Sequence, residues 1–407
     1  MPEWRSRTTG RGCTKGWRQC TRRRERARLL SLRLLGRLLP AHSGAVCWPP
    51  RLLVLRPDHI GDLLFLLPAL AELRSCLPEA HIALAVGPWV APLARLCPDV
   101  DEVATVRFPG FGRRRNANLL APYALTWRLA RSWRGRFDLC LVSRRDHWWG
   151  AMTAALAGVP RVFGSRTPET GPFLTRSVED LATTHEVAAN LALVRLAASS
   201  LARPCPAEPP TPVSHALRLP LPEAVEQSAR QWLERNLGVG DGFVCIHPGA
   251  GAVNKVWPAT RYQSLVRALA DETKRPLLVT GSPVEAELVS LVASATPAAL
   301  PAPGEFNLPA LAAVLGRAAL VVGSDSGPLH MAVARGTPTV HVFGPADPAR
   351  FAPWGPPERH IVLTAKLPCR PCGDLSHCRL AEPLACMKSV SVDQVLAACR
   401  SLLAAQA

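Results

Sequence analysis

Gly323-Ser324-Asp325-Ser326-Gly327-Pro328-Leu329-His330 stands between an apolar, strand-like run, Ala318 to Val322, and a short helix-like run that ends at Arg335-Gly336. Ser326 or Gly327 suits a helix N-cap, and Pro328 suits the first turn, where a missing N–H costs nothing. Gly336 is placed to end that helix. Thr339 to Phe343 follows as a β-branched, apolar run of the kind buried in parallel sheets, so the piece reads strand, loop, helix, strand. Small residues in the loop let an anion reach the helix N-terminus, whose free N–H groups and dipole favour negative charge. A bound phosphate is expected there.

The same alternation extends in both directions. Upstream, Arg51 to Leu55, Ile82 to Val86, Asp138 to Val142 and Arg161 to Gly164 read as strands, with helical spacing over Ile60 to Leu73 and Ala151 to Leu156. Nearer the motif, strands are expected at Phe243 to Ile246 and Pro276 to Val279, and helices near Thr260 to Leu269, Val284 to Val292 and Leu308 to Leu315. Repeated βα units imply parallel sheets covered on both faces. Seven prolines fall between Arg203 and Pro222, a composition suited to a linker. The chain therefore divides into an extension (1–48), an N-terminal α/β domain (49–202), a linker (203–222), a C-terminal α/β domain (223–395) and a final helix end (396–407). Two doubly wound domains place a ligand cleft between the carboxyl ends of their strands.

Charge is unevenly distributed. Residues 1–40 hold twelve Lys/Arg against two Glu, which is +10 of the net +17. On a helix, Arg22, Arg26, Arg33 and Arg37 share a stripe while Leu34, Leu35, Leu38 and Leu39 sit elsewhere, a pattern for an anionic membrane surface; a disordered extension and a cleaved signal are the other readings. Nucleic acid is disfavoured because no aromatic residues are spaced through the basic run. No apolar stretch is long enough to span a bilayer. Nine of the thirteen cysteines, Cys76 among them, are scattered without a pairing pattern, which suggests free thiols in a reducing cytoplasm. The other four, Cys369, Cys372, Cys378 and Cys386, cluster beside His377; they read either as thiolate ligands of a structural zinc or as free or paired thiols.

Four segments at strand ends carry candidate chemistry. In Arg56-Pro57-Asp58-His59-Ile60-Gly61-Asp62, Asp62 is either a first-turn acid facing the helix dipole or a general base in the cleft. In His247 to Pro258, glycines free the backbone to approach an anion and Lys255 supplies a compact positive charge, or serves only as a solvent-facing Lys. In Thr280 to Glu285, Glu285 is either a first-turn acid or an acceptor for ribose hydroxyls. In the fourth, Asp325 and His330 both face the phosphate-ready terminus, with Asp325 orienting the loop or a sugar hydroxyl and His330 reaching a diphosphate oxygen. Arg56 and the loop arginines Arg144 and Arg145 lie at strand ends of the N-terminal domain, where the loop arginines could hold phosphates of an anionic ligand or form a basic surface patch; the resemblance given next puts all three on the acceptor side.

The ordered set Gly61-Asp62 with Leu67-Pro68-Ala69-Leu70, Pro248-Gly249-Ala250 with Lys255-Val256-Trp257-Pro258, Gly281-Ser282-Pro283-x-Glu285, and Asp325 to His330 with Gly336-Thr337-Pro338 and Phe343-Gly344-Pro345 resembles glycosyltransferase family 9, which contains the ADP-heptose:lipopolysaccharide heptosyltransferases. The resemblance runs from about Arg51 to about Val395. It implies a GT-B fold of two Rossmann-like domains and an inverting transfer that needs no divalent metal. By position, Asp62 matches the catalytic base, while Lys255, Glu285 and Asp325, Ser326, Gly327, Pro328, Leu329 and His330 match donor-binding residues. The implied partners are an ADP-sugar donor and an anionic glycan or glycolipid acceptor, at the inner face of the cytoplasmic membrane. Another GT-B enzyme of nucleotide sugars, an epimerase or hydrolase, and a non-catalytic nucleotide-sugar binder are the competing readings. Pro57-Asp58-His59-Ile60 departs from the small and hydroxyl residues frequent in the family, so contacts around the base are expected to differ.

Overall fold

A computed structural model describes residues 28–39, 46–111, 120–179, 183–201, 215–375, 378, 380 and 382–406. The first 27 residues of the basic extension, most of the proline-rich linker and His377 lie outside this set. The first domain holds one six-stranded sheet, β1 (Arg51–Arg56), β2 (His81–Val86), β3 (Glu102–Thr105), β4 (Leu139–Val142), β5 (Arg161–Ser165) and β6 (Arg176–Val178), in the order β3-β2-β1-β4-β5-β6. The second holds β7 (Val244–His247), β8 (Leu277–Gly281), β9 (Ala299–Pro303), β10 (Leu320–Ser324), β11 (Thr339–Phe343) and β12 (His360–Thr364), in the order β9-β8-β7-β10-β11-β12. The two orders are the same, and every strand pairing in both sheets is parallel. Central strands are buried on both faces, which is why β1, β7, β10 and β11 read as continuous apolar runs.

Two features differ from expectation. The helix expected over Ile60 to Leu73 is two helices, Ile60–Leu64 and Leu67–Cys76, with the break at Phe65-Leu66. Pro68 lacks an N–H and crowds the carbonyl four residues back, so it is accommodated only in the first turn of a new helix. Cys76, expected as a free thiol, is disulfide-bonded, whereas Cys47, Cys97, Cys140, Cys245, Cys369, Cys372, Cys378, Cys386 and Cys399 are free.

The two domains meet through packed contacts. A Cβ added at Gly327 would lie 2.7 Å from Ile60 Cβ, so the first helix of one domain and the motif helix of the other touch backbone to side chain. Phe65 lies edge-on to His330 with centroids 4.7 Å apart, and His185 Nε2 lies 2.9 Å from Ala352 O. Glu186 pairs with Arg350 across the same seam. Where the linker is described, it is pinned: Leu219 N donates to Ala334 O at 3.2 Å, and Arg335 donates to Leu219 O at 2.7 Å.

Candidate active site

In each sheet the winding order reverses beside the first strand, between β1 and β4 and between β7 and β10, which is where open α/β sheets bind ligands. Arg56 ends β1 and is 1 % exposed. Its Nε lies 3.1 Å from Asp58 Oδ2, its Nη2 lies 3.3 Å from Asp62 Oδ1 and 3.6 Å from Glu186 Oε2, and its Nη1 donates to Ser143 O at 2.5 Å. Burial opposes its charge, but Asp58, Asp62 and Glu186 outweigh that and raise its pKa. Arg56, expected on the acceptor side, is enclosed by these four partners because three carboxylates gather around its charge; Asp62 is one of them. That carboxylate also accepts from the His59 amide at 3.3 Å, closing the first turn of its helix. Asp62 thus closes its own helical turn, as a first-turn acid would, and 25 % of its side chain stays exposed.

Asp62, Arg144, Arg145, Glu186 and Arg350 line one cleft of about 140 Å³. Arg144 is bound to Asp58 and lies 2.5 Å from Asp146 Oδ1, with its guanidinium 5.0 Å above the Phe111 ring. Asp58 is sealed between Arg56 and Arg144; burial pushes its carboxyl up to about 6 against their pull. These carboxylates engage three of the five N–H donors of the Arg144 guanidinium, so it can still meet a phosphate with the others.

On the facing domain, Ser326 stands at the N-cap position of the helix Gly327–Ala334 without a side-chain cap bond, and Gly336 adopts φ 78° just beyond its end, a conformation that favours glycine. Lys255, in the turn Val253–Lys255, places Nζ 2.7 Å from Asp325 Oδ2, and His330 Nε2 lies 3.3 Å from Asp325 Oδ1. Burial alone would raise the Asp325 carboxyl; Lys255 and His330 overcome it and hold the pKa down at about 2. A group depressed below its ordinary value of 3.8 contributes stability above that value and loses it as pH falls through 2. The stability advantage of the native chain over Asp325→Asn is accordingly expected to be constant above pH 4 and to shrink by about 2 kcal/mol toward pH 2. Denaturant midpoints measured over that range check this; an advantage that does not change with pH would refute it.

Ser326 Oγ and His330 Nδ1 are buried without hydrogen-bond partners. Both lie at the start of the motif helix, so polar capacity is left at the place where a phosphate was expected. His330 also rests against Gly61, the neighbour of Asp62: a Cβ at Gly61 would lie 3.1 Å from His330 Cδ2. The Gly61-Asp62 turn and the motif helix are therefore adjacent across the domain seam.

Glu285 folds back on its own turn, accepting from Ser282 N at 2.8 Å and from Ser282 Oγ at 2.6 Å. Its Oε1 would be 2.0 Å from a Cβ at Gly249, so glycine is needed there for the carboxylate to reach the end of β7. Gly249→Ala is expected to displace Glu285 and raise the donor KM about tenfold or more with the fold intact, since the loss is of a positioned hydrogen-bond acceptor. Unchanged donor KM in that variant would remove Glu285 from the site.

Some partners were not singled out from sequence. Glu186 and Arg350 bridge the domains beside Arg56. His185 lies against Trp354, with burial pushing its pKa down to about 4, and His341, fully buried, lies 5.5 Å from the His330 ring. None carries a local signal, because each gains its role only from the opposite domain or the opposite strand. The four clustered cysteines, Cys369, Cys372, Cys378 and Cys386, line a separate cavity of about 290 Å³ with Asn254 and Asp374. Among the described residues no group of three or more His, Cys, Asp or Glu side chains is arranged to hold a metal ion.

The family model for glycosyltransferase family 9 (heptosyltransferase) matches residues 126–379. The chain belongs to glycosyltransferase family 9. It is accordingly a glycosyltransferase, similar to lipopolysaccharide heptosyltransferase 3 of Escherichia coli, with 25 % identity over 304 residues covering 72 % of this chain and 83 % of that one. Among solved structures, the family 9 glycosyl transferase from Veillonella parvula superposes with a TM-score of 0.69 at 21 % identity, covering 89 % of this chain and 100 % of the other. The E. coli ADP-heptose lipopolysaccharide heptosyltransferase II superposes at 0.66 and 20 % identity, covering 88 % and 99 %. These likenesses establish the GT-B architecture of this family 9 chain.

Proposed function

We propose that the chain transfers heptose from ADP-heptose, with inversion, to a hydroxyl of a lipopolysaccharide core-like acceptor. The observation that carries this reading is the adjacency of Asp62, held by Arg56, to the Lys255–Asp325–His330 cluster across the seam. Asp62 takes the proton of the acceptor hydroxyl as that oxygen attacks the anomeric carbon. The bond from that carbon to the diphosphate breaks on the opposite face, which inverts the configuration. Negative charge then grows on the leaving diphosphate, where Lys255, Ser326 Oγ and the N–H groups opening the helix Gly327–Ala334 are placed to receive it. Positive charge at this spot does the work that a divalent ion performs in other transferases, so the mechanism needs no metal. Arg144 and Arg145, lining the cleft beside Asp62, suit an anionic acceptor.

With Gly327 packed on Ile60, the helix terminus is covered, so donor entry requires the domains to part and transfer requires them to close and exclude water. Relatives that are lipopolysaccharide heptosyltransferases support the donor and acceptor class, and a nucleotide-sugar donor is in keeping with a reaction on the cytoplasmic side of the membrane. A thermal-shift screen of nucleotide sugars tests the reading. ADP-heptose should raise the melting temperature while UDP-, GDP- and CDP-sugars do not. Stabilisation by none of them, or product formation without acceptor, would refute it.

A further inference from the structure

Two outward faces of the N-terminal domain are unlike the rest of its surface. Residues 28–38 form a helix docked by Leu32, which is buried in the same apolar cluster as Phe173 and Trp133, and by Gly36, whose added Cβ would meet Pro172 O at 2.6 Å. Its opposite side presents Leu30, Leu34 and Leu38, at 62, 53 and 80 % exposure, in register at every fourth residue. Arg33 and Arg37, both exposed, run beside that leucine stripe. The second face belongs to the helix Ala121–Trp133, which buries Thr126, Ala130 and Trp133. Leu120, Tyr123 and Trp127 point outward at 72, 71 and 65 % exposure, at i, i+3 and i+7. Arg128, Arg131 and Arg134 share that side, and the Arg131 guanidinium lies 4.9 Å from the Trp127 ring.

Both helices pack on one apolar cluster, the one that also contains Ala151 and Ala154 of the helix Trp148–Leu156. That middle helix touches the helix Ala121–Trp133 on one side and the Gly171–Phe173 turn, against which Gly36 sits, on the other. The two stripes therefore cover the same side of the sheet. No acidic residue occurs between 28 and 39 or between 120 and 136. Arg28 pairs with Glu169 of a neighbouring loop, and the other arginines named here keep the face strongly basic. A solvated face would not gather six large apolar side chains, and an apolar protein interface would not carry so many arginines beside them. Leucines for the acyl boundary, Tyr and Trp for the headgroup level, and arginines for phosphates are the chemistry of an anionic bilayer surface.

We propose that this composite face, Leu30, Leu34 and Leu38 with Tyr123 and Trp127, docks the protein on an anionic phospholipid membrane. The helix Trp148–Leu156 leaves directly from the Arg144–Arg145 loop, so docking on this side holds the acceptor side of the cleft close to the lipid. Such a face would serve the glycolipid acceptor proposed above. Vesicle binding needs neither donor nor acceptor, however, so the two readings stand or fall separately.

Co-sedimentation of the full chain with phosphatidylcholine vesicles, with and without phosphatidylglycerol, is the test. Binding to the phosphatidylglycerol vesicles should be about tenfold or more the stronger, and should weaken with salt. Leu34→Ser with Leu38→Ser, and separately Tyr123→Ser with Trp127→Ser, should each lower it about tenfold with melting temperature and donor-induced shift unchanged, since these side chains are exposed. Equal binding to neutral vesicles, no binding by the folded chain, or binding that survives both double variants because other basic residues carry it would overturn the proposal. So would a chain that dimerises through these residues and ignores lipid.

Discussion

Asp62→Asn should lower kcat by about 10²–10⁴-fold, the range for loss of a positioned general base, with the donor KM nearly unchanged. The substitution keeps size, and Asn can still accept from the His59 amide, so the turn that Asp62 caps is expected to persist. Arg56 keeps Asp58, Glu186 and Ser143 as partners, so its buried charge stays compensated. A melting temperature close to that of the native chain, together with an intact ADP-heptose shift, would separate lost chemistry from lost structure. Unchanged turnover in a folded variant would sink the assignment of the base.

Lys255→Met is expected to cost about 10²–10³-fold in kcat, the magnitude seen when one electrostatic contact to developing charge is removed. The variant has a second consequence, because Asp325 is 3 % exposed and loses the ion pair at 2.7 Å. Breaking a buried pair by removing one partner leaves an uncompensated charge, at about 3–5 kcal/mol. Stability and catalysis can be told apart by adding Asp325→Asn to the same variant. The double substitution should recover much of the melting temperature and none of the rate. Recovery of the rate along with stability would make Lys255 a structural partner of Asp325 and remove it from the proposed leaving-group site.

The chain's sequence makes some elements legible and hides others for physical reasons. Strands β1, β2, β4, β7, β10 and β11 are central or near-central and buried on both faces, so their apolar runs are visible without a partner. The edge strands β3, β6, β9 and β12 are part exposed; β3, β6 and β9 carry no such run, β12 has only Ile361-Val362-Leu363, and β9 contains Pro301 and Pro303, which an edge position tolerates. The motif helix was readable because its signals are local: a cap, a proline in the first turn and a glycine after the last. Asp62, Lys255, Glu285, Asp325 and His330 drew notice because each lies just beyond a strand end, where doubly wound folds gather their ligand contacts.

What sequence alone determined, then, is the repeated βα architecture, the two domains and the residue types at the strand ends, since backbone preference and hydrophobic period act over a few residues. Only the tertiary structure decided that Arg56 is enclosed by three carboxylates, that Arg144 is already paired with Asp58 and Asp146, that Glu186 and Arg350 bridge the domains, and that Gly327 meets Ile60. It also decided that Leu32 turns inward while Leu34 and Leu38 turn outward on one basic helix. Each of these depends on which distant surface arrives against a side chain, and that arrival is set by packing between elements far apart in the chain.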